Sequence, residues 1–352
     1  MSVGVAGVEM KYAIKKGSVW GTAVQAGAGD GLLLLPTGIR RSAPVDIDDS
    51  QGLFFSADGT PGQVSVTGDF PGYLRYDGLD LFLAMFCGTA GTPTLHSGGA
   101  ASYDYIYDLA ENLDGLFFTF VRNWKNYVEE IPSVKALSLT IKGERGKPLQ
   151  LVFGGIGSHS AYDDVNDSTT FASVTIPETA NRIQFSQGVC RMNTQSDIAL
   201  AAGDTIYPNS FELTATRKLA QLASGLLTTG GDSPQDIIDE PCNDGMPEIT
   251  LKFGFPYHTG KTRLVDLGND ARKKADITFT GPIIEGAIPR LFKLEFPNLQ
   301  MKSVDVVDAA GNISEPVEFI CHAANTAPSG MTGITKAFRI SGTNQNADDP
   351  LA

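Results

Sequence analysis

Ile131-Pro132-Ser133-Val134-Lys135-Ala136-Leu137-Ser138-Leu139, followed after a Gly-containing turn by Pro148-Leu149-Gln150-Leu151-Val152-Phe153, is the stretch whose reading decides the fold. Its first part is echoed by Ile288-Pro289-Arg290-Leu291-Phe292-Lys293-Leu294-Glu295-Phe296, and its second by Glu315-Pro316-Val317-Glu318-Phe319-Ile320. Apolar and polar residues alternate in both copies, which is the period of a half-buried strand, so each copy reads as two strands joined by a hairpin. From Ile to the second Pro the first copy runs 148 − 131 = 17 residues and the second 316 − 288 = 28, which predicts an insertion of 28 − 17 = 11 in the hairpin. A loop absorbs that change at small entropic cost, whereas a strand register tolerates no single-residue slip.

A second echo lies upstream of each copy. Gln63-Val64-Ser65-Val66-Thr67-Gly68-Asp69-Phe70-Pro71-Gly72-Tyr73 and Glu248-Ile249-Thr250-Leu251-Lys252-Phe253-Gly254-Phe255-Pro256-Tyr257 are both alternating strands that end in Phe-Pro and then Tyr. The two echoes keep one order, which reads as a duplicated all-β unit. The expected units are residues 1–180, with an N-terminal arm and a long loop, and residues 181–352, with a C-terminal arm. Built-in pseudo-symmetry of this kind points to a structural role before a catalytic one.

Composition agrees. A chain of 352 residues with 42% hydrophobic residues can fill two cores, and 39 Gly with 19 Pro favour short strands joined by turns, so the fold class is mainly β. One segment breaks the pattern: Leu79, Phe82, Leu83 and Phe86 fall at helical spacing, with Asp77 as the expected N-cap and Gly88 as the expected stop. The opening residues carry neither a basic n-region nor a long apolar run, and the densest apolar run, Leu32-Leu33-Leu34-Leu35, stops at Pro36. The expectation is a chain that folds in the cytoplasm where it is made and has no membrane partner.

No chemistry stands out. Cys87, Cys190, Cys242 and Cys321 lack CxxC spacing and read as isolated thiols. The four histidines, His96, His159, His258 and His322, show no ligand spacing, and Ser158-His159-Ser160 reads as a solvated loop. Asp46, Asp48 and Asp49, and Asp163, Asp164 and Asp167, lack the order of a calcium loop and read as turns, with a weak ion site as the minority reading. Gly27-Ala28-Gly29-Asp30-Gly31 is followed by no GK[ST] and is not a phosphate loop. The chain is therefore expected to be no enzyme, with no catalytic residue, cofactor or metal. Its formal charge of −13 disfavours adhesion to nucleic acid.

Apolar residues in irregular segments are the candidate inter-subunit contacts: Leu32, Leu33, Leu34 and Leu35 in an expected protruding hairpin or internal strand, Leu53, Phe54 and Phe55, and Phe338 in the C-terminal arm. The period-two tyrosines Tyr103, Tyr105 and Tyr107, with Trp20 and Trp124, form a candidate stacking platform for a carbohydrate-binding module, the alternative reading.

Taken in order, Lys15-Lys16-Gly17-Ser18-Val19-Trp20-Gly21-Thr22-Ala23-Val24, Val64-Ser65-Val66-Thr67-Gly68 leading to Asp77-Gly78-Leu79-Asp80-Leu81-Phe82-Leu83 and Gly88-Thr89, and Phe292-Lys293-Leu294-Glu295-Phe296-Pro297-Asn298-Leu299 resemble the tail tube proteins of long flexible-tailed bacteriophages. The resemblance implies two tandem β-sandwich or split-barrel units, each with a flanking helix, in a virion protein whose rings stack into a hollow tube that conducts DNA without specific binding. Duplicated members of that family can form trimeric rings with pseudo-six-fold symmetry, and the repeat favours the trimer over a hexamer here. The resemblance also implies tape measure, tail terminator and baseplate proteins as partners, and assembly in the host cytoplasm. A tail terminator or a capsid decoration protein is the other virion reading.

Overall fold

The structure is a computed structural model that describes residues 7–42, 44–47, 59–61, 64–163, 171, 173–177, 181–221, 238–309 and 311–352. The first half contributes strands β1 (Lys11–Lys16), β2 (Gly31–Leu32), β3 (Arg40–Ser42) and β4 (Ser65–Tyr73), helix α1 (Asp80–Cys87), and strands β5 (Tyr103–Leu109), β6 (Phe118–Asn123), β7 (Val128–Glu144) and β8 (Gln150–Gly157). The second contributes β9 (Gly188–Thr194), β10 (Thr205–Ile206), β11 (Ser210–Thr216), β12 (Glu248–Phe255), helix α2 (Thr262–Gly268), β13 (Lys273–Glu285), β14 (Ile288–Val304), β15 (Val307–Ala309), β16 (Asn312–Cys321) and β17 (Arg339–Asn344). Neighbouring strands pair antiparallel throughout.

Six pairings in the first half recur in the second. The first half pairs β1 with β2 and β6, β6 with β7, β7 with β8, β8 with β4, and β4 with β3. The second pairs β9 with β10 and β13, β13 with β14, β14 with β16, β16 with β12, and β12 with β11. Chain order is the same in both sets, and each helix follows the strand that ends near Phe-Pro.

The proline of the long strand fixes the phase of the match. Proline cannot donate to a ladder and is tolerated where the ladder is broken. The ladder of β6 with β7 breaks around Pro132, between the Ile131 and Val134 pairs, and that of β13 with β14 breaks around Pro297, between the Phe296 and Leu299 pairs. A second bulge follows in each, at Leu137 in β7 and at Lys302 in β14. Ile131-Pro132 thus corresponds to Phe296-Pro297. The echo at Ile288-Pro289 lies out of phase by 296 − 288 = 8 residues, because the β13–β14 hairpin is longer than its counterpart. An even slip leaves the apolar face unchanged, so alternation alone cannot detect it.

Each half curls its sheet around an aromatic core. Phe70 of β4 and Phe120 of β6 have ring centroids 4.8 Å apart although β8 and β7 lie between their strands. In a flat sheet three strand spacings would separate them by roughly 14 Å, so the sheet must close on itself. Phe211 of β11 and Phe279 of β13, separated by β12, β16 and β14, meet at 5.9 Å in the same way. α1 plugs the first core, with Phe82 stacked on Phe153 at 4.6 Å.

The helix is shorter than its periodicity predicts. It starts at Asp80 after Leu79, with no side-chain cap, and Asp77 instead accepts hydrogen bonds from Arg290 and Asn181. Gly88 ends it as expected, at φ 84°, with its N–H on the Ala84 carbonyl.

Candidate assembly interface

The two halves are sewn together at several places. The largest is a ladder in which β11 of the second half pairs with residues 138–144 of β7, from Ser138 opposite Thr216 to Glu144 opposite Ser210. A Cβ on Gly143 would come within 2.4 Å of the Phe211 ring opposite it, so the glycine leaves the room in which that ring packs across the ladder. Lys142 and Glu212 pair across it at 3.3 Å.

Directly after β11 the chain delivers Arg217 to the end of α1. This 4% exposed guanidinium donates to the carbonyls of Phe86, Cys87 and Ala110, each at 3.0 Å, and lies over the Phe86 ring. The last carbonyls of a helix have no internal partners and carry partial negative charge, so a cation there satisfies both needs. Burial pulls the Arg217 pKa down from its ordinary value.

The third tie is Lys135 of β7, 1% exposed, whose ammonium meets Glu240 of the second half at 2.6 Å, while Trp20 donates to the Ile238 carbonyl at 2.8 Å. The fourth is β17, inserted between β5 of the first half and β14 of the second. Arg339 of β17 forms a two-pronged contact with Asp108 of β5, both distances 2.7 Å. Beside it, Asp80 at the start of α1 accepts from Tyr107 and from Asn344, each at 2.8 Å. Burial raises the Asp80 pKa above the ordinary carboxylate range, and the two donors oppose it. Glu285 collects the N–H groups of Ala101 and Ala100 and the Ser102 hydroxyl, and these hold its pKa below the usual range.

The residues picked out by the sequence have separate fates. Leu32 is buried in the core beneath β1, and Leu33, Leu34 and Leu35 are half-buried, with Leu35 bonded to the Pro71 carbonyl beside β4. Phe338 is fully buried against Phe296. Leu53, Phe54 and Phe55 lie outside the described residues, as do Asp48, Asp49, Asp164 and Asp167. Tyr105 and Tyr107 are buried and stacked on each other at 5.0 Å, which withdraws both faces from a carbohydrate platform. Ser158 and His159 are also buried, so the solvated-loop reading of that segment is corrected. Cys87, Cys190 and Cys321 are buried and Cys242 is exposed; burial pushes the thiols of Cys87 and Cys190 up to about 12. Such thiols stay protonated and unreactive.

Sequence reasoning missed Arg217, Asp80, Lys135 and Glu285. Lys135 and Asp80 stand inside quoted stretches, but nothing local marks the role of any of the four, because each acts through a partner in the other half.

The family model described as phage tail tube protein matches residues 7–335. The chain belongs to that family. It is thus a structural protein of the phage tail, with the mainly β fold that the resemblance implied. No curated protein matches the chain. No helix among the described residues is long and apolar enough to cross a membrane.

Proposed function

We propose that the protein polymerises as stacked rings into the hollow tail tube through which phage DNA passes, with three protomers to a ring. The observation that carries this reading is the recurrence of six strand pairings in one chain order, which supports two equivalent units, residues 1–180 and 181–352, per protomer. Three protomers then supply six units around the tube. The ties between the halves hold the angle between units that a closed ring requires.

The charge of −13 suits the conduit. Each phosphate contact from Lys or Arg would hold the DNA in place, and an acidic wall makes few of them. Tape measure, tail terminator and baseplate proteins are the proposed partners at the ends of the tube and within it. Leu33, Leu34 and Leu35, with Leu53, Phe54 and Phe55, remain the proposed apolar contacts between subunits.

Negative-stain electron microscopy of the concentrated protein tests the reading. Hollow tubes are expected; solid filaments, or particles that never exceed a single ring, contradict it.

A further inference from the structure

The ladder between β7 and β11 is a worked example of how one unit joins the next, and the second unit carries the same acceptor with no described strand on it. In the first half, the edge of β7 left open beyond its ladder with β6 is residues 138–144, starting just after the Leu137 bulge, and β11 covers it. Counting on from the equivalent bulge at Lys302, the second-half acceptor is residues 303–309, which comprise the end of β14 and β15. Among the described residues β13 pairs with β14 only as far as Leu299, and no strand occupies the edge beyond it.

Exposure records the difference. Ile141, four residues past its bulge, is fully buried; Val306, four past its own, is 46% exposed, and Val307 beside it is 44% exposed. The donor strand is identified by the same equivalence. β11 is the edge strand of β12, and β3 is the edge strand of β4. β3 pairs with β4 alone among the described strands, and Arg40, Arg41 and Ser42 are all exposed.

We propose that residues 303–309 of one protomer receive β3 of the next, so that the joint between chains copies the joint within the chain. This deepens the proposed ring and rests on it. Charge supports the match and explains its fidelity. Within the chain the acceptor offers Lys142 and the donor Glu212. Between chains the signs reverse: the acceptor offers Asp305 and Asp308, both exposed, and the donor offers Arg40 and Arg41. Opposite charges across a strand pair stabilise it and like charges directly opposite destabilise it. The acidic acceptor therefore repels the β11 strand of another copy, with its Glu212, and accepts β3; sheet edges that choose among partners need such repulsion. The backbone ladder supplies the attraction, and burial of Val306 and Val307 adds to it.

Three variants test the joint: Arg40→Glu with Arg41→Glu, Asp305→Lys with Asp308→Lys, and all four together. Each is checked by circular dichroism and thermal melting as a monomer, then counted for rings by electron microscopy. The account expects each pair alone to abolish rings while the monomer stays folded, and the fourfold variant to restore them. Either pair alone forming rings as freely as the unaltered protein would overturn the joint and leave the tube reading standing, as would a folded fourfold variant that forms none. Absence of rings from the unaltered protein at every concentration would overturn the polymerisation reading and the joint with it.

Discussion

Helices α1 and α2 hold the same place in their halves, yet one is core and the other surface. Six of the eight residues of α1, from Phe82 to Cys87, are buried, while α2 buries none and leaves Leu264 and Val265 41% and 46% exposed. The difference comes from the segment downstream of each helix. After α1 the chain makes β5, which lies beside the helix and recruits β17 from the far half; after α2 it enters β13 within a few residues. The recurrent strand pairings are thus alike in the two halves, and the β5 and β17 clasp is present on the first alone. The halves are equivalent in topology and unequal in cover.

The largest effect that separates the helices is in packing. Phe82→Ala removes a fully buried ring in contact with Phe70, Phe118 and Phe153, and is expected to cost about 3–5 kcal/mol in chemical denaturation. A loss below about 1 kcal/mol would show that α1 is not the plug of the first core.

Arg217→Met comes next. It keeps the apolar stem but removes the donors to the Phe86 and Cys87 carbonyls at the end of α1 and to the Ala110 carbonyl, and is expected to cost about 2–3 kcal/mol with faster hydrogen exchange at residues 84–88. Unchanged exchange there would mean the arginine does not hold the helix.

Asp80→Asn sharpens the comparison through pH. The folded-state pKa of Asp80 is raised above 3.8, so the folded chain holds its proton more tightly than the unfolded chain does. The stability this group lends is therefore present at and below the unfolded pKa and is lost as pH rises through the folded one. Asparagine keeps an acceptor for Tyr107 and Asn344 without a charge to bury. The variant is expected to match the parent near pH 4 and to melt higher than it at pH 8; a lower melting temperature at pH 8 would contradict the assignment.

The smallest effect belongs to α2. Leu264→Ala, at an exposed position, should change monomer stability by no more than about 0.5 kcal/mol. A larger loss would mean that α2 is covered in the monomer after all.

Much of the frame was legible because it is local. The alternating strands before Phe70-Pro71 and Phe255-Pro256 became β4 and β12, and the spacing of Leu79, Phe82, Leu83 and Phe86 became α1, with Gly88 as its stop. What alternation cannot carry is phase and partner. Ile131 corresponds to Phe296, eight residues from the echo at Ile288, and both phases present the same face. Nothing local in Arg339 or Ser341 announces that β17 will run between β5 and β14, since an open edge is satisfied equally well by any strand of the right face. The ties went unseen for the same reason: Arg217 reads as the polar end of a strand, and its role exists only once α1 ends in front of it.

The central claim is that one protomer is two units of a ring. Cryo-electron microscopy of isolated rings, with the mass of the ring measured on the same sample, tests it most directly. The account predicts three protomers, an end view with six β units, and true three-fold symmetry in which only alternate units carry the β5 and β17 clasp. Six protomers in a ring, or six identical units in the end view, would contradict it.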